Sequence, residues 1–233
     1  MIGIIGAMEV EVCSLVEALE ERREETVSGT VFYRGRLDGA EVVVARCGIG
    51  KVAAAVCAEA MILRYAPDLL VNTGVGGSLT PCLSVTDVAV SDRAVQYDMD
   101  TSPLGDPVGL ISGINRIYFE ADDRAGKLFL ACAADAGVKA LAGTVASGDR
   151  FVASADAKAE ILSHFPDAVV CEMEGAAIAH AAYLNGTPFI IVRAISDSAD
   201  GASGMDYPTF LSRAAKTSFA LTRAFIRAYT SAH

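Results

Sequence analysis

Tryptophan is absent from this 233-residue chain, histidine occurs three times, and no two cysteines form a C-x-x-C pair. His164, His180 and His233 have no metal-ligand spacing, so no metal site and no cofactor are expected. Cys13, Cys47, Cys57, Cys82, Cys132 and Cys171 sit mostly in apolar patterns such as Val56-Cys57-Ala58. They read as reduced, buried hydrophobes of a cytoplasmic protein rather than as a disulfide framework. Cations are scarce too: 19 Lys and Arg stand against 29 acids, a formal net charge of −10, with no basic stripe or tail. That balance argues against a nucleic-acid partner. No apolar run approaches the roughly 20 residues needed to cross a bilayer, so no membrane partner is expected. The apolar start, Met1 to Gly6, is followed at once by Glu9 and Glu11, and it reads as a buried first strand rather than a signal peptide.

Apolar residues make up 52% of the chain, enough for one sizeable core, and the length fits a single domain spanning residues 1–233. Apolar runs alternate with helical patterns, the signature of an α/β fold. Strands are expected at Ile2 to Ile5, Val42 to Ala45, Leu69 to Val71, Val88 to Val90, Ala142 to Ser147, Ala168 to Cys171 and Phe189 to Ile195. Several are apolar at consecutive positions, as strands covered on both faces are. Helices are expected near Glu9 to Glu21, Lys51 to Tyr65, Asp123 to Ala136, Ala157 to His164, Glu174 to Leu184 and Tyr207 to Tyr229. Val27 to Leu37 reads as part of a hairpin. Tyr97 to Asn115, rich in Gly, Pro and Asp, reads as a long functional loop.

Five segments could carry chemistry. Gly3 to Glu11 places acids where a first strand turns into a helix, a favoured position for a ligand. On this segment alone, Glu9 and Glu11 read first as complements to the helix dipole. Cys47-Gly48-Ile49-Gly50-Lys51 is a weak phosphate loop without Walker spacing, and Lys51 reads as a solvated helix-start residue. Asn72-Thr73-Gly74-Val75-Gly76-Gly77-Ser78 reads as a Gly-rich turn after a strand, open between a tight turn and a binding loop. Glu172-Met173-Glu174 sets two acids where a buried strand meets an Ala-rich helix, awkward to bury without a ligand but suited to ribose hydroxyls. Last, the apolar strand from Phe189 carries Arg193 and delivers Ser196 and Asp197 at its end. Arg193 needs an acidic partner, for which Glu174 is a candidate, while Asp197 could simply begin a turn.

Together, GIIGAMEVEV near residue 3, CGIGKVAAA at 47, NTGVGGSL at 72, SGDRFV at 147, CEMEGAAIAH at 171 and RAISDSAD at 193 resemble the 5′-methylthioadenosine/S-adenosylhomocysteine nucleosidases of the nucleoside phosphorylase superfamily. The resemblance runs nearly end to end. It implies a mixed, partly closed central β-sheet flanked by helices, a homodimer, and hydrolysis of the bond between a purine and a ribose. By the same resemblance, Glu11 activates water and Asp197, held by Ser196, protonates the departing purine. Glu174 binds the ribose with help from Met173 and Arg193. Phe151 stacks on the purine, the Val152 backbone reads its edge, and Gly76 belongs to the substrate site. Met8 and Ile49 line the sugar and thioalkyl region, Tyr207 contacts substrate, and the Tyr97 to Asn115 loop reaches across the dimer.

That chemistry is coherent, since loss of a purine leaves positive charge on the ribose and the barrier falls when the base departs protonated. Asp197 must then carry a proton, Glu11 must be ionised, and Glu174 favours the developing cation. Val75 departs from a small hydroxyl residue in many relatives, Ser78 from a second glycine, and Arg150 from a small residue. The alternatives are a purine nucleoside phosphorylase, an aminodeoxyfutalosine nucleosidase, and a nucleoside-binding domain without turnover.

Overall fold

The computed structural model describes residues 1–199 and 207–231, with the side chains of residues 207 and 208 outside that description. Strands β1 (Ile2–Gly6), β4 (Ala40–Arg46), β5 (Leu69–Ser78), β9 (Ala168–Glu172) and β10 (Phe189–Asp197) carry the most buried runs. They join β2 (Glu20–Val27), β3 (Thr30–Leu37), β6 (Val88–Gln96), β7 (Tyr118–Glu120) and β8 (Ala140–Ser147) in one mixed sheet. β5 pairs with β1, β9 and β10, and the ring β5-β10-β6-β8-β9 closes on itself. The partly closed sheet expected from the sequence is the one observed, and closure removes two edges that would otherwise need covering.

Helices α2 (Lys51–Tyr65) and α5 (Gly175–Asn185) pack on one side, and α1 (Glu9–Glu17), α3 (Asp123–Asp135) and α6 (Tyr207–Ser231) on the other. The α4 helix (Ala155–His164) buries Ala157 and Ile161 in a third cluster beside β8 and β9. Caps account for several starts: the Asp122 carboxylate accepts from the Ala125 N–H (2.7 Å), and the Ser154 hydroxyl accepts from that of Ala157 (3.2 Å). Gly50 opens α2 at φ 97°, a value few side chains tolerate.

Two local expectations are corrected. The first helix ends at Glu17 rather than Glu21, and Glu20–Val27 forms an exposed edge strand paired to β3. Its EERREETV sequence has high helix propensity and no period-2 alternation, but charge along an edge strand discourages pairing with other chains. The short β7 strand carried no signal of its own. The Gly-rich stretch from Asn72 to Ser78 is not a turn but the continuation of β5, a fully buried ten-residue strand. Its glycines admit neighbours instead: a Cβ on Gly74 would stand 2.6 Å from Glu11 Oε1, and one on Gly77 2.8 Å from Asp197 Oδ1. The Tyr97 to Asn115 loop contains one 3₁₀ turn at Ser102–Leu104 and a bridge between Ile111 and Arg116.

Candidate active site

The carboxyl ends of β1, β5, β9 and β10 converge on one cleft, open on one side to solvent. Its walls include Glu11, Glu174 and Asp197. Met8, Ile49, Gly76, Phe151, Val152, Met173 and Ser196, all expected at the site, also line it. Ile49 and Phe151 form its lip, 61% and 60% exposed.

Each carboxylate is held differently. Glu11 lies in the first turn of α1 and reaches back over the helix start, as the third-position acid of a capping box does. Its Oε2 accepts the N–H groups of Ala7 and Met8 (2.8 Å each), and its Oε1 accepts that of Val75 (3.0 Å) across the β1–β5 seam. Burial pushes its pKa up, while the Arg193 charge and those three donors pull it back down. The outcome is a fixed carboxylate with greater proton affinity than a free glutamate, suited to take a proton from water.

Glu174 is the residue from which α5 departs, and its Oε1 accepts the Gly50 N–H (2.9 Å). Burial, with the neighbouring Glu172 charge, pushes its pKa up to about 7, against the pull of Arg193 and the Gly50 donor. Asp197 ends β10, where Oδ2 accepts from the Ser196 hydroxyl (2.8 Å) and Oδ1 from the Ala199 N–H (2.9 Å).

Arg193 is where the sequence reading needs correction. Its partner is Glu172, not Glu174, and the two form a wholly buried ion pair. Arg193 does not line the cleft. It lies behind the wall, donating also to Asn72 Oδ1 (2.5 Å) and the Asn72 carbonyl (3.2 Å), while Asn72 Nδ2 donates to the Ile5 carbonyl (2.9 Å). Glu172 accepts further from the Ser147 hydroxyl and from the N–H groups of Glu174 (3.1 Å) and Gly175 (2.8 and 3.0 Å). Both Glu172 oxygens are therefore occupied, and Glu174 is left to face a ligand. The pair of acids divides into an anchor and a cleft-facing carboxylate, a distinction their shared alternation hides.

Lys51 is likewise not a solvated helix-start residue. Its ammonium pairs with Asp98 (2.5 Å) and donates to Gln96 (3.3 Å), while its N–H donates to Asp149 (2.7 Å). Asp98 also accepts the Asp149 N–H (2.8 Å), so one ion pair ties the start of α2 to the two loops beside the Phe151 lip. Ser78 turns from the cleft and donates to the Thr80 and Leu83 carbonyls. Val75 and Arg150 do line it, Arg150 paired with Glu160 at 3.1 Å. Cys171, unassigned by sequence, lines it beneath Asp197, and burial pushes its thiol up to about 12, which keeps it neutral. The side chain of Tyr207, expected against substrate, lies outside the described residues.

A family profile described as the phosphorylase superfamily matches residues 1–227. The chain belongs to that superfamily, among its 5′-methylthioadenosine/S-adenosylhomocysteine nucleosidases. A solved nucleosidase of this kind from Neisseria meningitidis, in complex with methylthio-immucillin-A, is 35% identical with a TM-score of 0.93, over 97% of this chain and 98% of that one. The Colwellia psychrerythraea nucleosidase, in complex with adenine, is 34% identical with a TM-score of 0.93, over 97% and 94%. A Helicobacter pylori futalosine hydrolase is 33% identical with a TM-score of 0.91, over 97% and 96%. Like these nucleosidases, this superfamily member is an N-glycosidic hydrolase. Among its described residues, no helix is long and apolar enough to cross a membrane.

Proposed function

We propose that this nucleosidase hydrolyses 5′-methylthioadenosine and S-adenosylhomocysteine, releasing adenine and the thioribose product. The observation that carries the reading is the convergence of Glu11, Glu174 and Asp197 on one cleft, each with a different set of donors. Glu11, clamped by three N–H groups, takes the proton of the attacking water. Glu174, with Gly50 on one oxygen, accepts the ribose hydroxyls and sets negative charge near the carbocation as it forms. Asp197 delivers its proton to N7 of the purine, so that the base leaves neutral. A positioned acid of this kind contributes roughly 10²- to 10⁴-fold. Phe151 stacks on the purine, Val152 presents its backbone to the ring edge, and Met8, Ile49 and Met173 enclose the sugar and its thioalkyl arm.

A phosphorylase is disfavoured by the same walls. Arg150 is the one cation lining the cleft among the described residues, and it pairs with Glu160, while Arg193 is neutralised by Glu172 behind the wall. A phosphate dianion would instead face Glu11 and Glu174. The similarity to a futalosine hydrolase supports a second reading in which an aminodeoxyfutalosine-type nucleoside is also cleaved. Adenine release from methylthioadenosine, S-adenosylhomocysteine and aminodeoxyfutalosine in phosphate-free buffer tests these readings. Turnover of the first two without phosphate is expected, and a strict phosphate requirement overturns the hydrolytic reading.

The assembly is a homodimer built on the α2–α5 face. Val52 and Leu63 are 76% and 71% exposed there, with Val56 and Leu184 in the same patch. A second copy covers this apolar face, and the Tyr97 to Asn115 loop reaches toward the neighbouring cleft.

A further inference from the structure

The last rung of the β5–β10 ladder pairs Asp197 with Gly77, after a register shift between Ile195 and Asp197. One step beyond, Ser198 and Ser78 bring two carbonyls to the end of the ladder. Lys158 supplies the donors for both. Its Nζ donates to the Ser78 carbonyl (2.7 Å) and to the Ser198 carbonyl (2.9 Å). We propose that Lys158 is a positioning residue for the leaving-group acid: its ammonium closes the β5–β10 ladder and so fixes the direction in which Asp197 presents its carboxyl to the cleft. This rests on the reading of Asp197 given above.

Three observations favour positioning over incidental surface contact. The lysine stands on a braced helix, because Ser154 caps α4 while Ala157 and Ile161 are buried in the cluster that also contains Cys171 and Ala199. The turn it grips is strained: Ala199 has φ 56°, left-handed for a non-glycine residue, and is buried. And the fit beneath the acid is tight, since a Cβ on Gly77 would come within 2.8 Å of Asp197 Oδ1 and 3.0 Å of the Ala199 Cβ. A strained turn carrying the Ala199 N–H that holds Asp197 Oδ1 needs an external tie, and Lys158 provides one without touching substrate. Misplacing a reacting group by about 1 Å costs on the order of a hundredfold in rate.

The test compares Lys158→Met and the milder Lys158→Gln, which keeps one donor, with Asp197→Asn as control. Each is assayed on methylthioadenosine and on an aryl 5-methylthioriboside whose nitrophenolate departs without a proton. Lys158→Met should lose about ten- to a hundredfold in kcat on methylthioadenosine while KM moves less than about threefold. Its turnover of the aryl glycoside should stay within about threefold of the parent enzyme, because that leaving group needs no acid. Lys158→Gln should fall between, and remains informative where the Met variant fails to fold. Equal losses on both substrates would show general loosening and overturn the proposal, as would unchanged kcat. Should Asp197→Asn itself keep full purine turnover, the reading of Asp197 falls, whatever Lys158 does. Should it lose turnover while both Lys158 variants keep theirs, the positioning role alone falls.

Discussion

Glu172 and Glu174 stand two residues apart and perform opposite tasks. Glu172 is consumed by Arg193, Ser147 and two backbone N–H groups, whereas Glu174 accepts the Gly50 N–H and faces the cleft. Removing one member of a buried ion pair strands the other, so Glu172→Gln should destabilise the protein by about 3–5 kcal/mol, read by urea unfolding. Glu174→Gln should act in the other direction, with a pH signature. The folded protein keeps a proton on Glu174 up to about pH 7, while the unfolded chain has lost it above its ordinary 4.5. Over that window the native state binds more protons, so Glu174 makes stability fall as pH rises, with the full cost present above about 7. Urea midpoints of the wild type and Glu174→Gln should therefore agree near pH 5 and diverge in favour of the variant near pH 8. Loss of this divergence would place the charge of Glu174 elsewhere.

The elements show why some of this was legible in the sequence and some was not. Long apolar strands such as Phe189–Asp197 and the helix over Lys51–Tyr65 announce themselves, because burial on both faces or an Ala-rich run opened by a glycine is written locally. The Glu20–Val27 strand does not, since its pairing with β3 is long-range and its residues favour helix when read alone. The convergence of acids at strand ends follows from the α/β pattern, but the choice of Glu172 as the partner of Arg193 depends on how β9 and β10 flank β5 in the closed ring. The Gly-rich stretch reads as a tight turn or a binding loop because glycine marks those far more often than it marks a strand pressed against carboxylate side chains. That second use makes a prediction. In Gly74→Ala the new methyl would meet Glu11 Oε1 at 2.6 Å and its Cδ at 3.0 Å. The carboxylate must shift, and kcat should fall at least about tenfold with little loss of fold, checked by steady-state adenine release beside circular dichroism.

At the scale of the molecule, the closed ring and the adjoining β1 bring four strand ends to one cleft, and the α2–α5 face beside it stays apolar and bare in a single chain. A charge there should separate the proposed dimer: Leu63→Glu should sediment as a monomer where the parent chain sediments as a dimer, and an unchanged sedimentation coefficient would remove this face from the interface. The central claim is nonetheless a chemical one, that a purine leaves the ribose because a buried aspartic acid protonates it. Single-turnover adenine release from methylthioadenosine by Asp197→Asn tests it most directly, with binding of methylthio-immucillin-A measured on the same preparation. The account predicts a loss of roughly 10²- to 10⁴-fold in the rate of release with analogue binding largely retained. Adenine release by that variant at the parent rate would contradict it.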